Sequence, residues 1–254
     1  MAKATIKSPR DLELMRESSR IVAEVLRLLE SMIREGITTK ELDAFADEYI
    51  RSQGAEAAFK GYGHGGENRY PASICASIDD QVVHGIPGER KLRDGEIISV
   101  DVGVKKKEFF GDGAWTFAVG KVSEEKKRLM KVTEESLLKG IERARAGNRV
   151  HDISAAVQSH VENAGYSVVR DLVGHGIGRA LHEEPQVPNF GERGTGPLLQ
   201  NGMTIAIEPM VNAGSFRVRI ASDGWTVRTE DGLPSAHFEH TVAVTEDGPE
   251  ILTR

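Results

Sequence analysis

The chain has 254 residues, with 33 Lys plus Arg against 39 Asp plus Glu and a formal net charge of −6 at pH 7. That acidic surplus argues against a nucleic-acid binder working by phosphate neutralisation, and 39% apolar with 28% charged residues excludes long disorder. A single cysteine, Cys75, rules out an internal disulfide, and with no apolar leader and no apolar run of about 20 residues the expectation is a soluble cytoplasmic protein.

Ser8-Pro9-Arg10-Asp11 predicts a helix start, with Ser8 as cap, Pro9 at the first helical position and Asp11 at the positive end of the dipole. Leu12, Met15, Val22, Val25, Leu26 and Leu29 follow at helical spacing, and Gly36 stops the run. A second helix starts at Thr38, whose partner Glu41 completes a capping box, and ends at Gly54. Strand-like runs cover 72–78, 97–104 and 113–119. The order then repeats: a long helix from Ser123 to about Ala146, a shorter one over 152–164, and strand-like runs at 166–172, 203–208 and 238–244. Both stretches carry a His-Gly-Ile element, at His84-Gly85-Ile86 and His175-Gly176-Ile177. The reading is one domain over 1–254, an α+β fold of two pseudo-symmetric halves (about 1–120 and 121–254) with helices outside a central sheet; the rival reading is two unrelated α+β domains.

Side chains alternate across a strand. In 97–104, Asp101 shares a face with Ser99 and Gly103, opposite Ile98, Val100 and Val102. In the next strand Asp112 sits with Ala114 and Thr116, opposite Trp115 and Phe117. Glu208 lies with Thr204 and Ala206, and Glu239 with His237, Thr241 and Ala243. Solvent faces usually carry Lys, Glu and Arg; a lone acid among small residues reads as the lining of a cavity. A hairpin turning at Lys106-Lys107 would set Asp101 directly opposite Asp112, where like charges repel unless a cation or a proton intervenes. With His175 between two glycines, the set Asp101, Asp112, His175, Glu208 and Glu239 has the charge and donor chemistry for two divalent cations such as manganese, iron, cobalt or zinc. Such a pair would generate a hydroxide nucleophile and polarise a carbonyl. Taken singly, Cys75 reads as a small buried apolar residue, and His84 and His182 fit structural histidines as well as site residues. His182-Glu183-Glu184-Pro185-Gln186 is no zincin helix, because Gln186 stands where the second His is needed.

At these residues the sequence resembles the type I methionine aminopeptidases of the pita-bread fold, over nearly the whole chain. The resemblance is carried by Val82-Val83-His84-Gly85-Ile86-Pro87, Ser99-Val100-Asp101-Val102-Gly103, Gly111-Asp112, Gly174-His175-Gly176-Ile177-Gly178, His182-Glu183-Glu184-Pro185, Ile207-Glu208-Pro209-Met210, Asp223-Gly224-Trp225-Thr226 and Phe238-Glu239-His240-Thr241. It implies that Asp101, Asp112, His175, Glu208 and Glu239 are the metal ligands. It implies further that His84 and His182 contact the scissile amide and its oxyanion, that Glu208 shuttles a proton, and that Tyr70, Cys75 and Trp225 line a methionine pocket.

The implied cofactors are two divalent ions from among cobalt, manganese, iron, zinc and nickel. The implied substrates are nascent polypeptides beginning with Met and followed by a small residue, met by a monomeric cytoplasmic enzyme in transient contact with the ribosome. The chain's own Met1-Ala2 start would qualify. Two other readings are a proline-directed aminopeptidase of the same fold, which usually has an added amino-terminal domain, and a metal-free binding module, which would have lost ligands. Two local departures bear on the pocket: the Gly-rich segment 60–69 is long, and Leu181 precedes His182 where many members have Phe.

Overall fold

The structure is a computed structural model describing residues 4–63 and 68–254. The Met1-Ala2 start and residues 64–67 of the Gly-rich segment lie outside the described residues.

Asp11 N donates to Ser8 Oγ at 3.2 Å while Ser8 N donates to Asp11 Oδ2 at 3.0 Å, and this reciprocal cap opens α1 (Pro9–Met32). Thr38 and Glu41 make the same exchange at the start of α2 (Thr39–Ser52). There follow β1 (Glu56–Ala57), β2 (Cys75–Ile78), β3 (Gln81–Val83), β4 (Ile97–Lys106) and β5 (Phe109–Ala118). The remainder holds α3 (Glu124–Ile141), α4 (Val150–Asn163), β6 (Ser167–Val168), β7 (Val173–Gly176), β8 (Glu183–Pro188) and β9 (Thr204–Ile207). It closes with β10 (Met210–Asn212), β11 (Val218–Ile220), β12 (Val227–Thr229), β13 (Ser235–His237), β14 (His240–Thr245) and β15 (Gly248–Ile251). Helix α3 stops short of the expected Ala146: after Ile141 the chain tightens into i→i+3 bonds, Arg143 N to Gly140 O and Ala144 N to Ile141 O, both at 2.9 Å.

Every strand pairing among the described residues is antiparallel. β4 lies between β2 and β5, and the chain's other large sheet runs β15–β14–β9–β7–β8. The bulky strand faces meet the helices: Val22, Val25 and Leu29 of α1 join Ile98, Val100 and Phe117, while Leu129 and Leu137 of α3 join Ile205, Ile207 and Val242. Helix α1 sits so close to β5 that a Cβ on Gly111 would lie 2.7 Å from Ser19 N. The small faces are turned the other way, toward the interior cavity.

One expected pairing is corrected. Asp101 pairs with Ala114, and Asp112 with Gly103, so the two acids are diagonal rather than directly opposed. The turn falls at Lys107 and Glu108, both with positive φ (48° and 71°), and Lys106 pairs with Phe109. A two-residue turn of this hand matches the strand twist and moves the register by one pair. The displacement is an even number of residues, so both acids keep the same face.

The run expected at 203–208 is matched by β9, which ends one residue early, and the run expected at 238–244 begins only at His240. Pro209 has no N–H to give the ladder, so β9 ends at Ile207 and β10 begins at Met210. Opposite it the partner strand bends too, between His237 and His240. Glu208 and Glu239 occupy these two facing bends.

Candidate active site

The two bends bring the far-apart pieces of the chain together. Glu239 N donates to Ala114 O at 2.8 Å and Ala114 N to Glu239 O at 3.4 Å, joining the 237–241 segment to β5. Beside that joint Asp112 N donates to Thr241 Oγ1 at 3.0 Å, and His237 N to Thr116 Oγ1 at 3.0 Å. The small residues of the predicted faces therefore serve as the seam, and the acids among them face one another across it.

All ten residues expected at a site line one cavity of about 260 Å³. Its acidic end holds Asp112, His175 and Glu239, whose ligand atoms lie within 4.8 Å of one another. His175 stands on β7, hydrogen-bonded through Nδ1 to Gly176 O at 2.9 Å, with Nε2 3.8 Å from Asp112 Oδ2 and 3.7 Å from Glu208 Oε1. Asp101 and Glu208 flank this trio rather than belonging to it.

Burial is the main electrostatic fact here. Desolvation, opposed by His237 and reinforced by Glu208, pushes Asp101 up to about 7. Desolvation with Asp101 and Glu208 nearby raises Asp112 well above its ordinary range, and desolvation with Asp112, Glu208 and Asp101 nearby does the same to Glu239. Glu208 is desolvated too, yet His237, His175 and His84 hold its carboxyl below the usual value. Asp101 Oδ1 and Glu239 Oε1 are buried with no hydrogen-bond partner. Buried orphan carboxylate oxygens, one imidazole and mutual repulsion are what a hard or borderline divalent cation would satisfy, so the residues present fit a metal. The two expected histidines flank this end: the His182 ring centroid is 4.3 Å from that of His175, and His84 holds a left-handed backbone (φ 59°) beside β3.

The other end of the cavity is apolar. Tyr70 is 2% exposed and meets Trp225 edge-on at 5.3 Å between centroids. Its hydroxyl lies 3.1 Å from Ile74 O and 2.9 Å from Gly85 O. Cys75 opens β2 beside it, and burial drives its thiol far above the ordinary value, so it serves as a neutral polarizable wall. Trp225 Nε1 donates to Asn68 Oδ1 at 3.1 Å.

Phe59, Tyr62 and His237 are among the residues that escape the sequence reading. Phe59 and Tyr62 line the cavity, and the Tyr62 hydroxyl bonds His182 Nδ1, but they stand in irregular chain with no periodicity to mark them. His237 is 1% exposed, 3.5 Å through Nε2 from Glu208 Oε2. Its alternation with Glu239 was the available signal.

The profile of metallopeptidase family M24 matches residues 13–246. The chain is 53% identical over 248 residues to methionine aminopeptidase 1 of Bacillus subtilis, covering 98% of each. It is also 53% identical over 249 residues to the methionine aminopeptidase of Clostridium perfringens, again 98% of each. The crystal structure of methionine aminopeptidase from Rickettsia prowazekii superposes with a TM-score of 0.96 at 40% identity, over 99% of this chain and 100% of that one.

Proposed function

The chain belongs to metallopeptidase family M24 and, within it, to the methionine aminopeptidases of the pita-bread fold, and on that premise we propose a two-metal enzyme that removes the initiator methionine when the next residue is small. The observation that carries this reading is the single cavity with four carboxylates and His175 at one end and Tyr70, Cys75 and Trp225 at the other. Asp101, Asp112, His175, Glu208 and Glu239 would hold two divalent ions, whose net charge matches four carboxylates. Bound there, such ions supply Lewis acidity and an activated water for amide hydrolysis.

The chain's own residues supply the rest. An unbranched thioether side chain fits the narrow apolar end, where sulfur meets aromatic edges. That places the following peptide bond over the acidic end. Glu208, held ionised by three neighbouring histidines, accepts a proton from the attacking water at its carboxylate and returns it to the leaving amine. His182 donates to the carbonyl oxygen as negative charge gathers there, and His84 orients the scissile amide. The preference for a small second residue rests on the resemblance to the type I methionine aminopeptidases.

No described helix is long and apolar enough to cross a membrane. We place the activity in the cytoplasm, on single chains, in transient contact with ribosomes, because nascent polypeptides beginning with Met are the substrates. The site draws Asp101 and Asp112 from the first half and His175, Glu208 and Glu239 from the second, which supports one catalytic domain with halves at about 1–120 and 121–254. The deciding experiment is hydrolysis of Met-Ala-Ser, Met-Lys-Ser and an Xaa-Pro peptide after chelation and stepwise return of each metal. Met-Ala-Ser alone should be cleaved well, with two ions per chain at full activity. Equal cleavage of Met-Lys-Ser would refute the small-residue preference, and preference for Xaa-Pro would refute the methionine assignment.

A further inference from the structure

The turn that carries His182 is gripped from outside the cavity by the segment ahead of α1. Residues 4–8 run without regular structure, and Lys7 N donates to Gly202 O at 2.7 Å. The Lys7 side chain turns inward, and its ammonium meets Glu183 Oε2 at 2.6 Å with both side chains nearly buried (5% and 12% exposed). The Thr5 hydroxyl bonds the same carboxylate oxygen. The other oxygen, Glu183 Oε1, accepts Arg179 N at 2.8 Å and Ala180 N at 3.1 Å. One carboxylate thus closes the 179–183 turn on itself and ties it to the strap. At Gly178 a Cβ would lie 2.4 Å from Lys7 Cε, so the strap and the turn are in direct contact. Arg179 adds a second anchor, reaching Glu108 at 2.7 Å and Asp11 at 3.5 Å. Leu181 and His182 are the residues suspended between these anchors, and both line the cavity.

We propose that Lys7 is a positioning residue for the reaction, its ion pair with Glu183 setting where the 179–183 turn holds His182. The inference rests on the reading of His182 as the donor to the scissile carbonyl. Without the ammonium, Glu183 would keep its charge in a desolvated place, and the turn would relax toward water to hydrate it. His182 would then leave its place beside His175. A displacement of about 1 Å can cost about 10²-fold in rate without touching the bound ground state.

The test uses the full chain loaded with manganese and the substrate Met-Ala-Ser, with histidine-labelled NMR on the metal-free chain. Lys7→Met should lower kcat toward that about 10²-fold limit with KM and metal content little changed, and Lys7→Arg should recover most of it. In a double variant with His182→Ala the two losses should not add, because both act through one group. The His182 ring signals should move or broaden in Lys7→Met while the sheet amides stay. Wild-type kcat in Lys7→Met, full additivity, or unmoved His182 signals would overturn the proposal. If His182→Ala alone keeps wild-type kcat, the donor reading fails, and the His182 ring signals then decide whether Lys7 positions it. Should Lys7→Met not fold, Glu183→Gln carries the same expectations, since its amide oxygen can still accept Arg179 N and Ala180 N while the amide nitrogen replacing Oε2 cannot accept from Lys7 or Thr5.

Discussion

At one end of the cavity four carboxylates crowd around His175; at the other Tyr70, Cys75 and Trp225 close an apolar slot, and the two ends are buried to a similar degree. Burial has opposite energetic signs in the two places. Around Tyr70 it removes apolar surface from water and stabilises the fold without help. Around Asp112 and Glu239 it strips water from like charges, and the fold alone offers them no sufficient counterion. The acidic end is therefore a place where burial costs stability, a cost that protonation or a bound cation would relieve. Substitutions should then separate cleanly: at the acidic end they change rate and metal linkage, at the apolar end they change recognition.

The largest separation is expected at Glu208. Glu208→Gln keeps the shape but weakens the basic oxygen, so kcat at saturating metal should fall by at least about 10²–10⁴-fold. Retention of wild-type kcat would move the proton-transfer role elsewhere. Next comes His182→Ala: with His182 as the proposed donor to the developing oxyanion, its removal should cost about 2.7–4 kcal/mol. Steady-state kinetics should show that loss in kcat with KM little changed, and elemental analysis should show metal content unchanged. A variant that instead loses metal and recovers kcat at high metal concentration would make His182 a ligand.

Metal linkage tests the acidic end as a whole. An ion at 100 times its Kd adds about 2.7 kcal/mol if it binds only the folded state, worth about 2–4 °C in Tm per kcal/mol at this size. The pH dependence has a definite sign. Asp101 is held up at about 7 and Asp112 and Glu239 well above their ordinary values. A carboxyl raised in the fold contributes stability that is complete below its unfolded value, about pH 4, and is lost as pH rises through the folded one. Calorimetry should find the metal-free chain losing stability from about pH 4 upward through about pH 7, with that slope flattened in the metal-loaded chain. Parallel slopes would mean that the carboxylates are neutralised by something other than metal.

The smallest effect belongs to the apolar end. Trp225→Leu removes an aromatic edge from the slot, and a sulfur–aromatic contact is worth about 0.3–1.5 kcal/mol. kcat/KM on Met-Ala-Ser should fall by that amount while metal content and the pH slope of the metal-free chain stay as they were. A loss as deep as that of Glu208→Gln would show that the two ends are coupled rather than separable.

Much of the candidate site's lining was legible in the sequence. The capping residues Ser8 and Thr38, the 3.6-residue stripe of α1 and the alternation that set Asp101 and Asp112 on small faces are all local patterns, and each has its counterpart in the fold. Alternation even survived the wrong turn at Lys106-Lys107, because a shift by an even number of residues preserves the face. What local pattern could not reach was which strands meet and where. The facing bends at Glu208 and Glu239, the joint between Glu239 and Ala114, and the ion pair between Lys7 and Glu183 all join residues distant in sequence. Phe59, Tyr62 and His237 entered the site for the same reason. Periodicity records which way a side chain points from its own element; which partner it then meets is settled by packing between elements, and no short stretch of sequence carries that information.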